Sequence, residues 1–160
     1  MLKLKSIYVA RAFAVTNLVF VSLGVWIFAG MSGWWRRGFL PPVSYAPFAR
    51  YFYIADAILI AAIFSGLVYS AVRLLAEGSL AARTARFVYI CELLYIFVSL
   101  CVVPVAEALL PQAWRRWSIM AGSTGLVSLW PQVLTAYPLI GAIVMTLLIR
   151  REQRQDDIQP

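Results

Sequence analysis

The 160-residue chain contains no histidine. That absence removes bis-histidine haem ligation, histidine-bound chlorophyll, zinc sites that use imidazole, and both Ser-His-Asp and Cys-His triads. There is no CxxC pair, so a thioredoxin-like or quinone-reductase-like dithiol is excluded. Neither a Walker A loop nor a GxGxxG turn occurs. The two cysteines, Cys91 and Cys101, lie on one expected helix. At 1.5 Å per residue their Cα atoms stand ~15 Å apart, beyond disulfide reach. Chemistry is left to carboxylates and arginines, and the sequence reads as a protein without catalytic machinery. No cofactor and no metal site is expected.

Charge is also scarce. Only 13% of residues are Asp, Glu, Lys or Arg, while 62% are hydrophobic. A soluble domain is ~25% charged and ~45–50% apolar, so lipid is the natural solvent for this surface. The mean hydropathy of +0.81 agrees. The net charge of +7 does not indicate a nucleic-acid partner. The basic residues sit at the ends of apolar runs, where headgroups lie, and form no stripe interleaved with stacking aromatics. Lys3 and Lys5 are the only lysines among 14 basic residues, an arginine bias typical of a GC-rich, bacterial genome.

A hydrocarbon core ~30 Å thick takes ~20 apolar residues per helix. Four runs of that size are present, about 12–31, 51–75, 87–110 and 131–149. The expected fold is therefore all-α: a polytopic, four-transmembrane-helix up-down bundle forming one domain over residues 1–150, with a polar tail at 151–160. The first run is longer than the ~7–15 apolar residues of a secretory signal, so it is read as a retained span. Pro41, Pro42 and Pro47 break helical continuity between the first two spans. Pro104 and Pro138 are expected to kink the third and fourth, and Pro131 suits a helix start.

The organising feature is the hairpin of the second and third spans, joined by a turn read from Arg73 to Arg86. Orientation follows from the basic residues. Lys3, Lys5, Arg11, Arg73, Arg83, Arg86, Arg150, Arg151 and Arg154 share one side; Arg36, Arg37, Arg50, Arg115 and Arg116 share the other. The positive-inside rule then makes both termini and the central turn cytoplasmic, as expected of a multi-pass protein of a bacterial inner membrane.

Four polar residues interrupt the spans: Asn17, Asp56, Glu92 and Glu107. Polar groups at membrane depth are costly and mark either a site or a structural contact. Asp56 and Glu107 fall near the outer ends of neighbouring antiparallel spans and would meet there. Arg36, Arg37, Arg50, Arg115 and Arg116 could pair with them or hold a lipid phosphate. Glu92 and Asn17 fall at similar depth nearer the inner side and would form a second site, for a cation or proton. The bland alternative is that all four cap loops or tie helix to helix.

Small residues recur at spacing four on the second span, as Ala57, Ala61, Ser65 and as Ala62, Gly66, Ser70. Small side chains let helix backbones approach closely, so this helix is the expected packing face. The outer half is aromatic, with Trp34, Trp35, Trp114, Trp117, Trp130 and Tyr137 among its residues, which suits an interfacial belt or a flat lipid pocket. Trp35-Arg36-Arg37 recurs as Trp114-Arg115-Arg116. Either a duplicated hairpin or two independent interface anchors explains the repeat.

These features lead to a scaffold or accessory membrane subunit that packs with itself or a larger membrane-protein complex, in contact with membrane lipids. An oligomeric, ion-coupled carrier using the intramembrane acids is the first alternative. A lipid- or quinone-binding protein is the second.

Overall fold

The computed structural model describes residues 2–32, 49–99 and 130–156. Among the described residues the chain is entirely helical. The elements are α1 (Leu2–Ser32), α2 (Ala49–Glu77), a 3-10 turn (Gly78–Ala81), α3 (Ala82–Phe97) and α4 (Trp130–Asp156). Among the described residues, two segments are long and apolar enough to cross a membrane, Ser6–Trp26 and Ala57–Phe97. The second is 41 residues long and folds back on itself at the 3-10 turn.

That turn is shorter than expected. The turn is read from Arg73 to Arg86, but helix α2 continues to Glu77 and α3 begins at Ala82. Arg73, Arg83 and Arg86 are therefore helical. The reason is local: Gly78 adopts φ +63°. This left-handed conformation costs other L-residues ~1–2 kcal/mol, and glycine adopts it freely. One glycine and one 3-10 turn reverse the chain. A methyl group on Gly78 would meet Ile7 Cγ1 at an ordinary 3.6 Å, so space is not limiting there. Gly78→Ala is accordingly expected to destabilise the protein by about 1 kcal/mol through backbone strain alone, measurable as a lowered unfolding midpoint with unchanged helix content.

Both neighbouring helix pairs are antiparallel. In the hairpin, Gly66 of α2 faces Val88 of α3. Between α1 and α2, Gly24 faces Phe64, Asn17 faces Ser70 and Ile7 faces Gly78. Helix α4 packs on α3 and also touches the 3-10 turn. The start of α1, the turn and the end of α4 thus share one end of the bundle, and Arg83, Arg86, Arg150, Arg151 and Arg154 follow from it.

The closest packing sits at that same end. Ala10 and Ala14 of α1, Ala71 of α2, Ala81 in the turn, and Ala82 and Ala85 of α3 are all fully buried. Leu67, Leu74, Met145 and Leu148 fill the space between them. The small-residue face expected on α2 is only partly used. Ala57 and Ser70 are buried and Gly66 is half-buried against Val88, whereas Ala61, Ala62 and Ser65 are exposed. Residues four apart drift by about 40° around a helix, so a row of three steps off the face on which it started.

The exterior is also apolar. Val15, Trp26, Ile58, Leu80, Phe87, Leu94 and Ile140 are exposed. Exposed hydroxyls are turned back on their own helices. Thr16 donates to the Ala12 carbonyl at 2.9 Å, Ser22 to Leu18 at 2.9 Å and Ser65 to Ala61 at 2.8 Å. Internal satisfaction of polar groups is what a hydrocarbon solvent demands.

Candidate functional site

The interior polar residues converge on Asn17. It is fully buried, and Phe13 and Phe20 flank it on α1, one turn to either side. Its Nδ2 donates to Ser70 Oγ of α2 at 3.0 Å. Its Oδ1 accepts from the Tyr89 hydroxyl of α3 at 2.8 Å and from the Tyr137 hydroxyl of α4. One asparagine thereby ties all four helices together.

The direction of each hydrogen bond linking Asn17 to its neighbours is fixed from one end. Ser70 donates its own hydroxyl hydrogen to the Leu67 carbonyl at 2.9 Å, and a carbonyl can only accept. Ser70 Oγ must therefore accept from Asn17, which assigns Nδ2 to that side. Oδ1 then faces the two phenols, and both must donate to it. Removing any member leaves a buried group unpaired, at a cost of ~1–3 kcal/mol.

Aromatic packing holds the phenols in place. Tyr137 stacks on Phe20, with centroids 4.4 Å apart and planes at 19°. Tyr89 meets Tyr137 edge-on at 5.8 Å and Phe13 edge-on at 6.3 Å. Gly141, one turn beyond Tyr137 on α4, gives the Tyr89 ring its room. A methyl group there would lie 2.7–2.8 Å from three atoms of that ring.

Glu92 stands one turn from Tyr89 on the same face of α3, the i, i+3 relation. It is 5% exposed. Its Oε2 is buried and has no hydrogen-bond partner. Ten residues separate it from the start of α3, a depth of ~15 Å along the helix. The inner pairing of Glu92 with Asn17 is thus only partly realised. The two are in one interior region, but Asn17 is bonded to Ser70 and the tyrosines, and Tyr89 lies between it and Glu92 along α3.

Tyr137 departs from the sequence reading. It belongs to the interior network and not to an interfacial belt, because its hydroxyl finds an acceptor at Asn17. Tyr89 and Ser70 likewise have interior roles that their residue types did not signal. Glu107, Arg36, Arg37, Arg115 and Arg116, and the side chains of Arg50 and Asp56, lie outside the described residues.

A separate polar cluster sits at the turn. Arg73 forms a two-pronged ion pair with Glu77, with Nε 2.7 Å from Oε1. It also lies 5.9 Å from the Tyr69 ring centroid. The Arg73 hydrogen bond holds the Glu77 carboxyl below its ordinary range. The pair therefore persists at neutral pH and is lost only as pH falls through that lowered value. An exposed i, i+4 pair contributes little to stability; here it finishes the end of α2.

No family model matches the chain, and neither a curated protein nor a solved structure is similar to it.

Proposed function

We propose that the chain is a four-span integral membrane subunit, without catalytic chemistry, that assembles laterally with itself or with other membrane proteins. In this reading α1 to α4 each cross the bilayer. The arginine-rich end carrying the turn faces the cytoplasm, together with both termini. Membrane lipids are its solvent.

The observation that supports this best is the apolar exterior. Asn17, Ser70 and Glu92 are inside, while Trp26, Ile58, Phe87 and Leu94 face outward. Such a surface is stable in lipid or against other helices, and exposes far more apolar area than water tolerates. The outward face of α2 offers the lateral contact. Ala61 and Ala62 are exposed there and small, which lets another helix approach closely. Gly66 is already occupied by Val88 within the hairpin, and is not free for such a contact.

The test is to exchange Ala62 for leucine and compare oligomer or complex size on native gels in mild detergent. The expected result is loss of the larger species with helix content unchanged. An unaltered complex for both Ala61→Leu and Ala62→Leu would remove this face from the account.

A second reading, an ion-coupled carrier working as an oligomer, is favoured by one observation: the buried, unpartnered oxygen of Glu92. Substrate-dependent flux in vesicles that disappears in Glu92→Gln would select it.

A further inference from the structure

The turn end of the bundle carries charge that the fold does not use. Among the described residues the one ion pair is that of Arg73 with Glu77. Arg83, Arg86, Arg150, Arg151 and Arg154 stand at the same end and make none. Glu152 is the only further acid with a described side chain there, so positive charge is in clear excess. Helix stability does not explain Arg83. It lies in the first turn of α3, which holds no acidic residue, and a cation at that end opposes the helix macrodipole.

Arg83 is set in an exposed apolar stripe. Leu80, just before it in the turn, is 73% exposed, and Phe87, just after it on α3, is 68% exposed. Ile90 and Leu94 continue the stripe and are exposed as well. Side chains three apart eclipse one another in a 3-10 turn, and spacings of three and four keep to one face of an α-helix. The opposite face of α3 is the buried one, with Ala82, Ala85, Tyr89 and Glu92. From Arg83 to Leu94 the stripe runs ~16 Å along the axis, the depth of one leaflet of a hydrocarbon core ~30 Å thick. Water does not suit its leucines and phenylalanine, and hydrocarbon does not suit an unpaired guanidinium. An amphiphilic anion suits both.

We propose that this stripe of the turn and α3 is a binding surface for one anionic phospholipid of the cytoplasmic leaflet. Arg83 donates two parallel N–H bonds to the lipid phosphate, and an acyl chain lies along Phe87, Ile90 and Leu94. Selection of a net-negative headgroup over a zwitterionic one comes from the surrounding excess of arginine, because a basic cluster beside a membrane span attracts anionic lipid. The lipid phosphate contact expected of the outer arginines thereby has a counterpart at the opposite end. The proposal rests on the membrane-subunit reading, with the turn cytoplasmic, and does not involve the lateral face of α2.

The test is native mass spectrometry of the full chain in mild detergent, titrated with phosphatidylglycerol or with phosphatidylcholine of the same acyl chains. Phosphatidylglycerol is expected to bind about fivefold more tightly. Arg83→Gln is expected to weaken its binding about fivefold, the equivalent of the ~1 kcal/mol that one basic residue contributes beside an anionic surface. Phe87→Gln is expected to weaken both lipids, since both need the apolar wall. Equal binding of the two lipids overturns the selectivity, and an undiminished preference in Arg83→Gln, with circular dichroism showing it folded, overturns the site. Displacement of phosphatidylglycerol by an equal concentration of glycerol phosphate makes the ligand a soluble phosphate and overturns the lipid assignment. Resistance to that competitor supports it. Alkaline carbonate extraction of membranes separates the two levels. A chain released without detergent contradicts the membrane reading itself, whereas a retained chain without lipid preference contradicts this proposal alone.

Discussion

Replacing Asn17 by leucine is expected to destabilise the bundle by about 2–4 kcal/mol, the largest effect of any single polar substitution in the described interior. Asn17 makes three bonds to three other helices. Interhelical hydrogen bonds in membrane proteins average only ~0.6 kcal/mol each, so their loss alone gives ~2 kcal/mol. The remainder, up to ~2 kcal/mol, is the cost of about one buried group left stranded, since the two phenol oxygens, 3.5 Å apart, can pair with each other. The leucine side chain has similar bulk, so a cavity contributes little. The measurement is unfolding by a denaturing detergent, followed by circular dichroism. Tyrosine fluorescence should change in the same variant, since Tyr89 and Tyr137 lose their shared acceptor.

Gly141→Ala is expected to cost about 1–3 kcal/mol, the range for overpacking a well-filled core, although it adds a single methyl group. The added carbon would meet Cε2, Cδ2 and Cζ of Tyr89 at 2.7–2.8 Å. Tyr89 is fully buried and held by Asn17 and by the edges of two other rings. It cannot retreat without giving up a hydrogen bond or a ring contact. Gly24 supplies the control. A methyl there would lie 2.6 Å from the tip of Phe64, a nominally worse clash. Phe64 is only partly buried, and the clash is with the far end of its ring, so it can swing. Gly24→Ala should therefore cost less than Gly141→Ala, and thermal unfolding of the two variants side by side checks the order.

The described helices were legible in the sequence because long apolar runs leave a coarse record. A run of ~20 apolar residues with basic flanks needs no tertiary knowledge to be read. Asn17 and Glu92 were legible for the same reason, as polar residues in apolar surroundings. What joins them was not. Tyrosine is amphipathic and suits both an interface and an interior, so Tyr137 reads as a belt residue until Asn17 is found opposite its hydroxyl. Ser70 reads as a small packing residue, and it is also the acceptor that sets the orientation of the network. The hairpin turn is shorter than the gap in hydrophobicity that marks it in the sequence. Helices stop where the backbone reverses, which Gly78 does in one step. The alanine seam of Ala10, Ala14, Ala71, Ala81, Ala82 and Ala85 is not legible in the sequence for a related reason. Its members are spread over three helices and the turn, and no single stretch shows the spacing that drew attention to α2.

The central claim is that Asn17 couples the helices through hydrogen bonds and not merely through occupied volume. A double-mutant cycle between Asn17→Leu and Tyr137→Phe, read as unfolding free energies in vesicles or mild detergent, tests it most directly. Residues 17 and 137 are 120 positions apart in sequence and share one bond across α1 and α4. The account predicts a coupling of roughly 0.5–2 kcal/mol, in the range of directly interacting pairs. Effects that add to within ~0.3 kcal/mol, as for independent sites, would contradict it.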